Sequence, residues 1–338
     1  MKPARHLSIP RRWRWIMTKK DPVQTFFDEK INPVTRRDFI KNHLKGALWL
    51  SVSASGILLP RRGLADVTPD ISVAKGGSTA STRAAVELLG GMGSVVKKGQ
   101  SVLIKPNMSF ANPPEWGTTT SPEVVKELAI MCREAGASKV LVLDNTLYSP
   151  KSCLSKTGIR DICEELSDTV VATVNSAKLY REMTISDSVR LSGTDILKQA
   201  LEADVLIAAP VAKSHSATGV SLSLKGMMGL VYDRAIMHSL GLDACIVDLC
   251  SILKADLTVI DATRVLSTNG PRGPGKVLNE QTVIASRDMV AADSCAVSMF
   301  EWYGSRYAPK NVAHIKEAHE RGLGRMDIEN MNIKKVVL

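Results

Sequence analysis

The sequence predicts an α/β fold: a mostly parallel sheet with flanking helices and a site at the carboxyl ends of the strands. Three observations point there. Short, β-branched, nearly continuous apolar runs recur along the chain, as strands buried on both faces require. Amphipathic stretches lie between them, and that alternation builds βαβ units. Ionisable residues gather just after the apolar runs, at the edge where open parallel sheets bind ligands.

In chain order, strands are expected over residues 102–104, 140–143, 170–174, 205–209, 257–260 and 283–285. Helices are expected over 79–89, 122–134, 158–166, 195–201, 243–253, 289–302 and 311–320. The second helix has a clear start, with Ser121 as N-cap and Pro122 at the first helical position. Soft boundaries fall at residues 148–157 and in the Gly/Pro loop 269–275. Neither an internal repeat nor a low-complexity stretch interrupts the pattern.

The first strand runs into Lys105-Pro106-Asn107 and the second ends in Asp144-Asn145. Residues 205–209 are followed by Pro210 and then by Lys213-Ser214-His215. Residues 257–260 end in Asp261, and 283–285 in Ser286-Arg287-Asp288. A parallel arrangement brings these ends to one side of the sheet. Exposed loops alone account for Arg287 and Asp288, but less well for the others. Lys225 stands beside Gly226, with Gly229 close by; small residues let backbone N–H groups approach an anion, although the order is not that of a Walker A loop. The loop 269–275 is built to carry Arg272 to an anionic group or simply to cross the surface. Asp248 lies among apolar neighbours, so it is either paired with one of the lysines or facing a site.

The chain has 338 residues, 44 Lys plus Arg and 34 Asp plus Glu, for a net charge of +10. All of that excess belongs to residues 1–65, which hold 14 basic and 4 acidic side chains. Residues 66–338 hold 30 of each. The body therefore has no global electrostatic reason to bind nucleic acid, and few aromatic platforms for stacking single strands. The leader contains Thr35-Arg36-Arg37-Asp38-Phe39-Ile40-Lys41, then fifteen uncharged residues between Lys45 and Arg61, then Gly63-Leu64-Ala65. Fifteen residues are short for a membrane span, which needs about 20. Basic region, short apolar region and small-residue site make a secretory signal. The paired Arg36 and Arg37 resemble the bacterial twin-arginine signal. That resemblance implies passage through the twin-arginine export machinery in the folded state, a periplasmic or extracellular mature protein, and no stable membrane span after cleavage.

Six cysteines are present and none forms a C-x-x-C pair, so the chain has no four-cysteine cluster motif. Most read as small buried hydrophobes. Cys245 and Cys250 do not share a helical face.

Several segments carry a second resemblance, to the domain-of-unknown-function family 362, over about residues 70–305. They are Ile104-Lys105-Pro106-Asn107, Thr119-Thr120-Ser121-Pro122-Glu123, Ala135-Gly136-Ala137 and Val142-Leu143-Asp144. Further along come Lys213-Ser214-His215, Leu224-Lys225-Gly226 with Gly229, and Val259-Ile260-Asp261-Ala262. Gly270-Pro271 with Gly273, Ser286-Arg287-Asp288 and Ala291-Ala292-Asp293 complete the set. The family implies no established function. Some members carry an added iron–sulfur segment, which this chain lacks. The matching positions are Lys105, Asn107, Asp144, Lys213, His215, Lys225, Asp261 and Asp293.

From these residues the sequence supports an enzyme acting on a small anionic ligand, a carboxylate or phosphate. Lys213, His215, Lys225 and Asp261 are its catalytic candidates, with His215 suited to acid/base work near neutral pH. Lys105, Asn107, Asp144, Gly226, Gly229 and Arg272 are the expected substrate-binding residues. Asp248 and Asp293 are candidate ligands for a divalent metal. Two alternatives stand beside this: a redox or iron–sulfur-associated accessory protein loaded with a cofactor before export, and a non-catalytic ligand-binding protein.

Overall fold

The computed structural model describes residues 68–338. The expected leader 1–65, with Arg36 and Arg37, lies outside the described residues. The strands are β1 (Ile71–Lys75), β2 (Ser101–Pro106), β3 (Lys139–Asp144), β4 (Thr169–Thr173), β5 (Tyr180–Thr184), β6 (Gly193–Leu197), β7 (Val205–Ala209), β8 (Val211–His215), β9 (Gly219–Ser221), β10 (Leu257–Leu266), β11 (Val277–Leu278), β12 (Thr282–Ser286), β13 (Glu301–Trp302), β14 (Ser305–Arg306) and β15 (Ile333–Val337). The helices are α1 (Ser78–Leu88), α2 (Pro122–Glu134), α3 (Pro150–Thr157), α4 (Ile159–Cys163), α5 (Lys198–Glu202), α6 (Ser223–Gly226), α7 (Ala235–Leu240), α8 (Leu242–Ile252), α9 (Met289–Met299) and α10 (Ala313–Glu320).

Eleven strands form one sheet in the order β15-β1-β12-β10-β7-β2-β3-β4, with β8, β9 and β11 attached off this path. β2, β3, β4, β7 and β10 pair in parallel, so their carboxyl ends share one edge. All the side chains of β7 and β12 are buried, which explains their unbroken apolar runs. The chain lays β3 and β4 on one side of β2, then places β7 and β10 on the other. The reversal between β2 and β7 is a topological switch point, where the loops at the carboxyl edge separate and leave a crevice.

β12 departs from the expected direction. It runs antiparallel to both β10 and β1. Its carboxyl end, with Ser286, Arg287 and Asp288, therefore lies at the edge opposite the crevice. There Asp288 caps α9, accepting from the N–H groups of Val290 and Ala291. β1 and β15 were not expected as strands; they extend the sheet at that side, paired in parallel. β15 carries the adjacent Lys334 and Lys335 and is nowhere fully buried. Residues 195–197, expected to begin a helix, instead belong to β6, which pairs with β5 as a hairpin, and helix begins only at Lys198. The last expected helix turns of residues 289–302 are replaced after Met299 by the β13–β14 hairpin.

A core of aliphatic side chains, among them Val86, Val102, Ile104, Leu128, Val142, Ile207 and Val259, fills the space between the sheet, α1 and α2. α2 starts at Ser121 and Pro122 as expected, but by a different device. The Ser121 hydroxyl bonds Glu123, and its N–H donates to the buried Asp261 carboxylate at 2.7 Å. All six cysteines are free and buried, as small hydrophobes in the packing. No helix among the described residues is long and apolar enough to cross a membrane.

Asp248, on α8, is an anchor. Its carboxylate accepts N–H bonds from Val189, Arg190 and Leu191 and an ion pair from Arg321 at 2.8 Å. It thereby ties the β5–β6 turn and the end of α10 to one helix. Burial alone raises its pKa, but the three N–H donors and Arg321 outweigh that and hold it below the usual carboxylate value. An Asp depressed in the folded state stabilises above its unfolded pKa of about 3.9, and the effect is lost as pH falls through the folded value. Asp248→Asn should lower the unfolding free energy by about 2 kcal/mol at pH 7, with the gap to the native protein narrowing at acid pH, as urea titrations at several pH values will read.

Candidate functional site

The site arises where β7 and β8 part company with β2. Up to Ala209 the chain pairs with β2, the last partners being Pro106 and Ala209. Pro210 offers no N–H to a ladder, which suits the point where a strand leaves its neighbour. Beyond it β8 pairs with β10 instead, through Val211 with Asp261 and Lys213 with Leu266. The backbone groups freed on the β2 side are taken up by side chains. Val211 N–H donates to Asn107 Oδ1 at 2.9 Å, and Thr120 Oγ1 donates to the Ala209 carbonyl at 2.7 Å. Asn107 N–H donates to Thr120 Oγ1 at 2.8 Å, closing the relay. The gap so held is the mouth of a cleft of about 660 Å³.

Residues 213–215 were expected just beyond the end of the strand 205–209; they lie on a further strand, β8. Strand alternation then decides which of them face the cleft. Lys213 and His215 line it together, while Ser214 points away and its hydroxyl accepts the Gly270 N–H at 3.0 Å. That contact pins the loop carrying Arg272, which also lines the cleft. A Cβ on Gly270 would stand 1.8 Å from the Ser214 carbonyl, so only glycine lets loop and strand approach this closely.

Eight sequence-predicted residues line the cleft: Lys105, Asn107, Lys213, His215, Lys225, Gly226, Gly229 and Arg272. Arg234, His238, Ser109 and Phe110 line it too and were missed by sequence reasoning. No carboxylate is among the lining residues, against five Lys and Arg side chains.

The floor is an ion pair. Lys105 Nζ lies 3.1 Å from Asp144 Oδ1, both side chains almost wholly buried. The second Asp144 oxygen accepts from Met108 N–H and Ser109 Oγ, each at 2.9 Å. Asp144 therefore shapes the turn after β2 and holds Lys105 beneath the cleft. Burial pulls the Lys105 ammonium down from its ordinary pKa, and Asp144 pushes back. Next to Asp144, Asn145 bonds through its Nδ2 to the carbonyls of Val231 and Tyr232, and its own carbonyl accepts from Arg234 at 2.7 Å. This clamp is why Arg234, 90 residues on from Asp144, reaches the site; a lone arginine between Asp233 and Ala235 gave no periodic signal.

Lys213 lies 5.0 Å from the centroid of the Phe110 ring and donates to the Thr118 carbonyl at 2.6 Å. Burial first, then Lys225 and Lys105, push its pKa down to about 7 against the pull of Asp144. Lys225 falls to about 8 by burial and the nearby Arg234 and Lys105. His215 is driven to about 2 by burial and by Lys225 and Lys213, so it is neutral at physiological pH. Its Nδ1 accepts the Ala217 N–H at 3.2 Å, which places the ring proton on Nε2. His215 is thus a hydrogen-bond donor, and the expected titration near neutral pH is corrected: two neighbouring lysines repel a second proton.

Three expected carboxylates do other work. Asp261 is not at a strand end, because β10 continues to Leu266. It accepts from Ser121 N–H and from the N–H and hydroxyl of Thr263, and burial raises its pKa. Asp293 receives the N–H groups of Ser223 and Leu224 and the Ser223 hydroxyl, fixing the start of α6, the turn that presents Lys225 and Gly226. Asp248 is bound in its anchor. Neither Asp248 nor Asp293 lines the cleft, and every oxygen of both is occupied by donors, so the structure corrects their assignment as metal ligands. Among the described residues no group of three or more His, Cys, Asp or Glu is placed to hold a metal ion.

Gly229 covers the floor. A Cβ there would stand 2.3 Å from Asp144 Oδ1 and from Lys105 Cε, and 2.6 Å from Lys105 Nζ. A Cβ on Gly226 meets nothing nearer than Pro210 at 3.9 Å. Gly229→Ala should therefore displace the buried pair and destabilise the fold by about 3 kcal/mol. Gly226→Ala should be nearly neutral; guanidinium denaturation of the two variants makes the comparison.

Residues 102–298 match a family described as a domain of unknown function, DUF362. A thylakoid-associated protein of Synechocystis sp. is 31% identical over 226 residues, which cover 64% of this chain and 68% of that protein. Of solved structures, the lactate racemase apoprotein of Thermoanaerobacterium thermosaccharolyticum is 15% identical, with a TM-score of 0.44, covering 67% of this chain and 56% of its own. A structural-genomics protein of Thermotoga maritima is 13% identical, with a TM-score of 0.29, covering 54% and 49%. This chain spans about half the length of each of those two solved chains. All the segments that carried the family resemblance, from Ile104 to Asp293, fall inside the matched span, and the chain belongs to the DUF362 family.

Proposed function

We propose that this protein is an exported enzyme acting on a small substrate that carries a carboxylate or phosphate group. One observation supports the substrate class above all others: a cleft at the switch point of the sheet lined by five cationic side chains and no carboxylate. Asp144 offsets one of those charges, Lys105. Lys225, Arg234 and Arg272 remain to hold an anion, and guanidinium forks suit carboxylate or phosphate oxygens. The His215 Nε2–H adds a neutral donor. Lys213 supplies the reactive group, an amine close to half-deprotonated at neutral pH and so able to accept a proton in the cleft. A mere binding pocket gains nothing from holding an amine neutral; an acid/base site does.

Export rests on the leader, where Arg36 and Arg37 stand in the twin-arginine pattern. The reading gives a periplasmic or extracellular site of action and the twin-arginine machinery as transport partner. Replacing both residues by lysine, as R36K with R37K, should leave the protein in the cytoplasm; cell fractionation in a bacterium with that pathway reads the outcome.

Anion binding is tested by calorimetry with oxalate and with sulfate, whose charges stay constant around neutral pH. A bound anion raises the pKa of neighbouring lysines, so binding takes up protons once pH exceeds their free values. Affinity should fall as pH rises through about 7 and then about 8, where free Lys213 and Lys225 lose their protons. Heats measured in buffers of different ionisation enthalpy should show net proton uptake at pH 8. Lys225→Met should weaken binding about tenfold or more, the loss of one charge-assisted contact; unchanged affinity would remove the anion reading.

A further inference from the structure

We propose that Lys213 is a covalent nucleophile, whose amine condenses with the carbonyl carbon of an oxo-carboxylate held in the cleft to form an imine. This rests on the anionic-substrate reading and narrows it to one class, small 2-oxo acids.

The three lysines of the cleft are not equivalent. Lys105 lies 3.1 Å from Asp144, so its amino group already has a carboxylate partner. Lys225 is half-buried on the short helix α6, beside the Met228 sulfur at 3.8 Å. Lys213 is 3% exposed and has no carboxylate within ion-pair distance among the described residues. Its side-chain hydrogen bond among the described residues runs to the Thr118 carbonyl, which accepts an N–H from an amine as well as from an ammonium. The lone pair of the amine is then free. A buried lysine beside other cations is the arrangement that turns an ammonium into an amine nucleophile. The same cations attract the carboxylate of an oxo acid and so bring its carbonyl to the amine.

The step balances. The Lys213 Nζ lone pair attacks the carbonyl carbon, forming the C–N bond, and the C=O π electrons move to oxygen. The amine gives up its two protons in all to that oxygen, which leaves as water as the C=N bond forms. His215, two residues on along the same face of β8, lines the same cleft with its Nε2–H as a donor for the departing oxygen. No oxidant, reductant or metal enters the balance. A protonated imine withdraws electrons from the adjoining carbon, which is the chemistry the enzyme gains.

Glyoxylate, the smallest 2-oxo acid, tests this. The full chain is incubated with glyoxylate and sodium cyanoborohydride at pH 7, digested and mapped by mass spectrometry. Lys213 should carry a carboxymethyl group, and should be labelled at least about 100-fold faster than the exposed Lys97 and Lys98. Oxalate should slow labelling at Lys213 alone. Lys213→Met, if its melting temperature matches the native protein, should lose the fast label. For a variant that fails to fold, protection of native Lys213 by oxalate keeps the test decisive. Label spread evenly over exposed lysines, or placed on Lys225 with Lys213 untouched, overturns the proposal. Oxalate binding without glyoxylate labelling overturns the imine and leaves the anion site standing, whereas failure of oxalate to bind overturns both.

Discussion

The separation of β8 from β2 at Pro210 is the constraint on which the rest of this structure depends. A strand that stops pairing with a central neighbour exposes backbone donors and acceptors in the middle of a sheet, and buried groups of that kind must be satisfied. Asn107 and Thr120 satisfy them here. Because they do, the sheet can open at its switch point without an energetic penalty in unpaired peptides. The opening also sets the alternation of β8, so that Lys213 and His215 face inward and Ser214 grips the loop that brings Arg272. The geometry of the site follows from one proline and two side-chain surrogates for a ladder.

Electrostatics follow from the same opening. The cleft is lined with cations that have no carboxylates to pair with, and burial strips them of water. Such an arrangement is unfavourable for ammonium groups, and they relieve it by losing protons. Beneath Gly229, Lys105 alone of these lysines has a carboxylate partner, Asp144, which also holds the turn after β2. Remaining carboxylates are used outside the cleft: Asp261 at the start of α2, Asp293 at the start of α6 and Asp248 at the β5–β6 turn. The architecture spends its negative charge on holding elements in place and leaves positive charge facing the cleft.

Read against the sequence, the β-branched runs at 102–104, 140–143 and 205–209 were legible because strands buried on both faces have no polar alternation to confuse them. Lys105 and Lys213, which follow such runs, and Arg272, in its Gly/Pro loop, were legible as residues that the fold brings to the cleft. Asp261 looked equally good by that rule and is not in the cleft, since β10 runs on for five more residues with a break in its register. Arg234 and His238 belong to the segment around α7, whose place is set by the Asn145 clamp rather than by local periodicity.

The sequence by itself determined the parallel α/β class, the neutral body behind a basic leader, and the gathering of lysines near strand ends. These are properties of local pattern and composition, and the hydrophobic effect reads them directly. Only the tertiary structure decided strand order, the reversed direction of β12 and the separation of cationic lining from structural carboxylates. Those depend on contacts between residues tens to hundreds of positions apart, such as Ser121 with Asp261 or Ser214 with Gly270, and a linear pattern carries no record of which partners will meet.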